Sequence, residues 1–419
     1  MNVSRRRSPN IIFTLSLCLC GVMVCGAEEF KAGDVIVAKR SVPLRRGSRT
    51  TDHITAGQVL QTQFVQGNWL WVTHRKSGYI QASEVMGSEE AEAEFSRRIS
   101  GNPADIVAQR ARGYVRLLNG NVDEALADFA AVLRVTTASP LFFSDRGTAW
   151  FAKGQYDRAL ADFNRAVLHQ GTPRLAELDQ ANLYCGRGLA LLSTGAIDKA
   201  IRDFDVAITT SEGQLATAYY RRGLAFLSRG NANERAMADL NRALQLNRLD
   251  VAAINARGLV WLRLGMFKKA ADDFRRVISK SPDKPFVRST KSDLLYGQLW
   301  TNDDWPSNVT RQISPSDSAY YNLAILLAAG PDEIRDGAEA RLRAEKVCRL
   351  DKNRYYAFQE ALAAAYAAED DFENARERQR KAIALAPDEE LKEALEQALT
   401  NYDDGKRHPY LLGGATKRT

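Results

Sequence analysis

The chain has 419 residues, of which 45% are apolar and 26% charged, and carries a formal charge of +7. These values are ordinary for a soluble protein with two or three domains, or with one elongated array and an accessory module. Acids and bases are interspersed and aromatics do not interleave with basic runs, which excludes a nucleic-acid footprint.

The N-terminus reads as an address. Arg5-Arg6-Arg7 form a positive region, Ile11 through Val24 an apolar one, and Cys25-Gly26-Ala27 places small residues before Glu28-Glu29. That order suits a signal peptide over 1–27, cleaved after Ala27 and marking an exported, periplasmic or cell-envelope protein. Its removal takes three arginines and lowers +7 to +4. The alternative is an uncleaved membrane anchor, since the apolar stretch is slightly short of a span. Membrane contact is expected only through this segment. Three of the five cysteines fall within it. Cys185 and Cys348 remain, and both read as small buried apolar residues rather than a disulfide framework.

Residues 30–86 have a different texture. Val35-Ile36-Val37, Val59-Leu60, Trp69-Leu70-Trp71-Val72 and Tyr79-Ile80 are short β-prone runs separated by turn-rich segments such as Arg46-Gly47-Ser48 and Gln66-Gly67-Asn68. Short strands with turn signals between them predict a small all-β barrel. The order Gly33-Asp34-Val35, Gly57-Gln58-Val59-Leu60, Gly67-Asn68-Trp69-Leu70-Trp71-Val72, Gly78-Tyr79-Ile80 resembles bacterial Src-homology-3-like (SH3-like) domains, with Tyr79 where that family has Trp. The resemblance implies binding of peptides or cell-wall material, with Trp69, Trp71 and Tyr79 as a candidate ligand platform. The competing expectation is that one Trp packs the barrel core and the other its rim.

From 106 to 282 one pattern recurs five times: Arg-Gly, a Gly seven residues on, then Ala, then Asp with an apolar partner. The copies begin at Arg112-Gly113, Arg146-Gly147, Arg187-Gly188, Arg222-Gly223 and Arg257-Gly258, at steps of 34, 41, 35 and 35. A period near 34 made of paired amphipathic helices predicts a solenoid. Gly120, Gly154, Gly195, Gly230 and Gly265 are expected to end the first helices in the left-handed region. Arg precedes Asp by 16 residues in four copies and by 17 in the fourth. That constancy predicts a ladder of Arg–Asp contacts inside each unit. The pattern resembles the tetratricopeptide-repeat (TPR) family, which implies a mainly α, right-handed helical solenoid following the β barrel.

After Pro282 the period blurs. Residues 283–316 read as one irregular helix around Ser292–Trp300 and a connecting loop. Two further degenerate units are expected over 317–387, a capping helix over 388–404, and a basic tail over 405–419. The order Leu326-Leu327-Ala328, Pro331-Asp332, Arg335-Asp336-Gly337 resembles a variant repeat of large bacterial proteins of the same family.

The resemblance implies that a protein or peptide partner lies in the inner groove, lined by first-helix residues around the Arg-Gly glycine. Three before it stand Arg110, Ser144, Cys185, Tyr220 and Asn255. Next after it stand Tyr114, Thr148, Leu189, Leu224 and Leu259, and four after it Leu117, Phe151, Leu192, Leu227 and Leu262. The central groove is therefore expected to be apolar, with Asn182, Tyr220 and Asn255 as polar points, suited to a peptide with apolar anchors. The alternative is that the array's own packing covers these leucines. The four histidines are scattered, no phosphate loop appears, and no nucleophile has a recognisable setting. A non-enzymatic chain with no metal or cofactor is expected. Two readings stay open: a scaffold holding a partner protein, or a cell-wall adaptor in which the barrel contacts peptidoglycan and the repeats are a spacer.

Overall fold

The computed structural model describes residues 30–407 apart from 32, 74–76, 137–138, 170–175 and 281–314. The leader, the helix expected at Ser292–Trp300 and the end of the tail lie outside the described residues. No helix among the described residues is long and apolar enough to cross a membrane.

The N-terminal strands are β1 (Val35–Ala38), β2 (Val42–Arg46), β3 (Arg49–Ile54), β4 (Val59–Gln61), β5 (Phe64–Gln66), β6 (Trp69–Thr73), β7 (Ser77–Gln81) and β8 (Val85–Gly87). They form two antiparallel sheets, ordered β4-β1-β8 and β3-β2-β7-β6-β5. The expected closed barrel is corrected to this pair of sheets. The chain changes sheet after β1, β3, β4 and β7, and among the described residues no ladder joins one sheet to the other. Ile36, Leu44, Ile54, Leu60, Leu70, Val72 and Ile80 fill the space between the sheets. Strand alternation therefore sends Trp69 and Trp71 to the opposite, outward face.

A helix not foreseen in the sequence, α1 (Ser88–Gly101), follows β8. Only Ala91 and Phe95 of it are buried, so its apolar signal is weak. They join Val37 of β1 with Ala108 and Val115 of the next helix, tying the β-domain to the array.

Five helix pairs follow, each a first and a second helix: α2 (Ile106–Leu118) and α3 (Val122–Val135), α4 (Pro140–Ala152) and α5 (Tyr156–Leu168), α6 (Glu177–Ser193) and α7 (Ile197–Thr210), α8 (Ala216–Ser228) and α9 (Asn233–Leu246), α10 (Val251–Arg263) and α11 (Phe267–Lys280). All five turn glycines are left-handed, with φ between 68° and 85°. The Arg-Gly glycines have a different task. A Cβ added at Gly113, Gly188 or Gly258 would lie 2.6–2.7 Å from the ring of Phe129, Phe204 or Phe274 of the same unit. The Asp-Phe ring thus lies on the first helix's backbone, and Phe163 also reaches the next unit, where a Cβ at Gly186 would be 2.9 Å away.

The Arg–Asp ladder is present in all five units and is bidentate. Arg187 Nε and Nη2 each donate to Asp203 at 2.7 Å, and the Arg222–Asp239 pair keeps 2.8 and 2.7 Å despite its longer spacing. A sideways link was not foreseen. Nη1 of Arg187, Arg222 and Arg257 reaches back to Asn164, Asp205 and Asn241 on the preceding second helix. For the first unit α1 plays that part, with Ser96 accepting from Arg112 at 3.0 Å. The Arg187 and Asp203 side chains are only 19% and 8% exposed, so the rung is worth more than a surface pair. Arg187→Ala is expected to cost about 2 kcal/mol, as for loss of charged hydrogen bonds. Urea denaturation at low and high salt checks this; an unchanged midpoint with unchanged salt dependence would mean that the ladder carries no stability.

Beyond 314, α12 (Pro315–Ala329) and α13 (Gly337–Leu350) form a sixth pair, α14 (Tyr356–Ala368) and α15 (Phe372–Leu385) a seventh, and α16 (Glu389–Asp403) the cap. In the variant motif Asp336 caps α13, accepting from the Glu339 amide at 2.8 Å. Helix α14 is buried almost all round. One hydrophobic cluster runs from Ala181 in α6 to Leu395 in α16, so the array and the C-terminal pairs share a core.

Candidate functional site

The first-helix positions expected to line a groove are mostly closed. Leu189 is 2% exposed, Tyr220 1%, Leu224 5% and Asn255 0%. Leu117, Phe151, Leu192 and Leu227 are buried with them. In the structure these residues are packed inside the array. The physical cause is packing within and between units: Leu117 lies in a cluster of the first two units, Phe151 and Leu189 in one that reaches the third, and Tyr220, Leu224 and Leu227 in the cluster that extends to α12 and beyond. Asn182 is exposed, while Arg110, Tyr114, Thr148 and Leu259 are half-buried.

Arg110 and Tyr114 are engaged internally. Arg110 Nε donates to Asp145 Oδ2 at 2.5 Å, and the Tyr114 hydroxyl donates to Asp145 Oδ1. Asp145 is 2% exposed and stands on α4, so the trio bridges the first two units. Burial opposes the Arg110 charge, but Asp145 outweighs it and holds the guanidinium above its ordinary pKa. Burial, then the Asp145 charge, push the Tyr114 phenol well above its usual range. Repeat spacing does not reveal this bridge, because an Asp occurs at the position of Asp145 in one copy only.

The same contact between consecutive first helices recurs two units on with other chemistry. Cys185 meets Arg221, which is 3% exposed, and burial lowers the Arg221 pKa. Burial, opposed by Arg221, pushes the Cys185 thiol up to about 11. Burial likewise pushes Cys348, which donates to the Phe358 carbonyl at 3.1 Å, up to about 12. Both cysteines are free and buried, as expected. A raised folded-state pKa stabilises the protein fully below the unfolded thiol's value near 9 and loses that contribution as pH rises through 11–12. Melting is therefore expected to fall from pH 9 to 11 less steeply in Cys185→Ala than in the parent. A thiol reagent at neutral pH should label neither cysteine until denaturant is added; prompt labelling of the folded chain would contradict their burial.

On the outward face of the five-stranded sheet, Trp71 pairs with Phe64 on one side and Tyr79 on the other, and Trp69 pairs with Gln66 and Gln81. Trp69 is 36% exposed and Phe64 48%. Trp71 is 7% exposed, covered by Tyr79 at 4.8 Å between ring centroids and by the Arg46 guanidinium at 5.0 Å. One Trp is buried and the other lies at the rim, as in the competing expectation, but Trp71 is buried on the outer face, because Leu70 and Val72 occupy the space between the sheets. The platform residues are adjacent, but only Trp69 and part of Tyr79 are open.

Among the described residues no group of three or more His, Cys, Asp or Glu could hold a metal ion. A family model described as "Tetratricopeptide repeat" matches residues 110–177, 144–214 and 220–285. DnaJ homolog subfamily C member 3 of Rattus norvegicus is 31% identical over 163 residues, 38% of this chain and 30% of that protein. Tetratricopeptide repeat protein 13 of Homo sapiens is 28% identical over 180 residues, 43% of this chain and 20% of that protein. The chain thus spans a third or less of the length of these relatives. The crystal structure of the APC/C hetero-tetramer Cut9-Hcn1 superposes with a TM-score of 0.54 at 13% identity, over 74% of this chain and 52% of that one, a likeness of fold alone. With the glycine spine and the Arg–Asp ladder, these matches make the helical array a tetratricopeptide-repeat solenoid, preceded by a small β-domain.

Proposed function

We propose that this chain is an exported, non-enzymatic scaffold of the cell envelope that holds a protein or peptide partner along its repeat array. The observation that carries this is the division of labour among the repeats. Residues common to the copies are used up in packing and in the ladder, while the positions that differ include the surface. A solenoid of this kind offers an extended face rather than a pocket for chemistry. The open part of the first-helix face runs over Asn182, Thr148 and Leu259, and the partner contact is assigned there. The test is a photocrosslinker placed at Asn182 or Leu259 in the native envelope, with Leu224 as a buried control. One protein captured at both open sites and absent from the control is the expected result. No adduct at either site would overturn the partner assignment, and recovery of the mature chain in the cytosol would overturn export.

A second reading is favoured by the exposure of Trp69 and Phe64 beside Gln66, Gln81 and Tyr79 on one sheet face. An aromatic strip edged by amides suits a glycan, so the β-domain would dock on peptidoglycan and the repeats would extend from it. Co-sedimentation with purified cell wall, lost in Trp69→Ala, is its expected signature; equal sedimentation of the two proteins would dismiss it.

A further inference from the structure

A cleft of about 420 Å³ opens between the fourth and fifth units, lined by Asn241, Leu244, Gln245, Arg248, Arg257 and Arg276. Three guanidiniums meet there. Arg257 is neutralised by Asp273, with bonds of 2.8 and 2.7 Å. Among the described residues Arg248 and Arg276 have no carboxylate partner; Arg276 Nη2 reaches only the Arg248 carbonyl, at 3.4 Å. The nearest acid in sequence, Asp250, is turned into the start of α10, accepting from the Ala252 and Ala253 amides at 3.0 Å.

The amides add direction. The Asn241 side-chain oxygen is taken by Arg257 at 3.1 Å and the Gln245 oxygen by Arg242 at 3.2 Å. Each amide is thereby oriented with its NH2 group left to donate. The polar side chains of the cleft therefore offer donors, and two of them carry uncompensated positive charge.

The preceding junction shows that the repeat does not require this. There Arg242 reaches back to the Gly213 carbonyl at 3.4 Å, as Arg276 does to that of Arg248. In that junction Asp205 stands where Asn241 stands in the next, two residues after the ladder Asp, and it pairs with Arg222 at 2.6 Å. The turn of that junction carries Glu212 and has one residue more than the turn that carries Arg248. An acid at the Asn241 position is thus replaced by an amide in the following copy, and the neighbouring turn changes from an acid to an arginine.

We propose that this cleft binds a phosphoryl group, through Arg248 and Arg276 with the amides of Asn241 and Gln245. A phosphate monoester is acceptor-only and close to doubly negative at neutral pH, which matches both the donor set and the two unpaired guanidiniums. The group is carried either by a phosphorylated side chain or by free phosphate. The site lies apart from the first-helix face assigned to a protein partner and stands or falls independently of it.

The test is calorimetric titration of the full chain, at fixed ionic strength, with inorganic phosphate, a short phosphoserine peptide and its unphosphorylated twin. Arg248→Glu reverses one charge of the cleft, and Arg276→Ala removes the second cation; both residues are exposed, so melting without ligand should match the parent. The parent is expected to bind phosphate, with each variant weakened about tenfold or more, as for loss of a charged hydrogen bond. Tighter binding of the phosphopeptide than of phosphate, with none by its twin, identifies a phosphorylated chain as the source; equal affinity identifies the free ion. Parent and variants binding alike, or no binding by the parent, would overturn the proposal.

Discussion

Phe204→Ala is expected to destabilise the third unit by about 3–5 kcal/mol, the usual cost of emptying a buried aromatic site. Phe204 is fully buried, and its ring lies on the α6 backbone where Gly188 leaves room for it. The converse change, Gly188→Ala, would place a Cβ 2.7 Å from the ring and is expected to cost about 1–3 kcal/mol by overpacking. The fourth unit supplies an internal control. There Leu240 replaces the ring and a Cβ at Gly223 would clear it by 3.1 Å, so Gly223→Ala should cost less than Gly188→Ala. Combining Gly188→Ala with Phe204→Leu should recover part of the loss, since the two side chains compete for one space. Denaturant unfolding, with amide exchange in α6 and α7 to localise the effect, measures all four variants. Equal costs at Gly188 and Gly223 would mean that the ring does not dictate the glycine.

Asp145→Ala is expected to be nearly as damaging, at about 2–4 kcal/mol. Removing one partner of a buried ion pair costs about 3–5 kcal/mol because the other charge stays buried. The value here is set lower because the Arg110 side chain is 33% exposed and keeps some water. The Tyr114 hydroxyl loses its acceptor in the same step. The double variant Arg110→Met with Asp145→Leu should return most of the stability, since exchanging a whole buried pair for apolar residues is often neutral. If the double variant were as unstable as Asp145→Ala, the loss would come from packing at residue 145 and not from the stranded guanidinium.

These two cases mark what could be read from the sequence. The Arg-Gly glycines, the left-handed turn glycines and the Arg–Asp ladder were legible because each occurs in every copy at nearly one spacing, and local geometry alone dictates them. The Arg110–Asp145–Tyr114 bridge occurs once and joins different copies, so no repeat announces it. Whether Leu189, Tyr220, Leu224 and Asn255 face a groove or the array's own packing stayed open for a related reason. Their exposure depends on neighbouring units, which share their cores although many residues separate them in sequence. In the β-domain, alternation correctly placed Trp69 and Trp71 on one face. Which face that was depended on Leu70 and Val72 claiming the interior, and whether the sheets closed depended on how β1, β4 and β8 pair apart from the other strands.

The central claim is that the inner apolar positions of the array are consumed by its own packing, leaving the open first-helix face at Asn182 and its neighbours. Thiol labelling of the folded chain from Glu28 onward tests it most directly, comparing Leu224→Cys with Asn182→Cys, since its two native cysteines, Cys185 and Cys348, are buried. Rapid labelling at Asn182→Cys with protection at Leu224→Cys until the chain unfolds is the predicted result. Equal rates at the two positions would contradict it, and would reopen the groove that the structure closes.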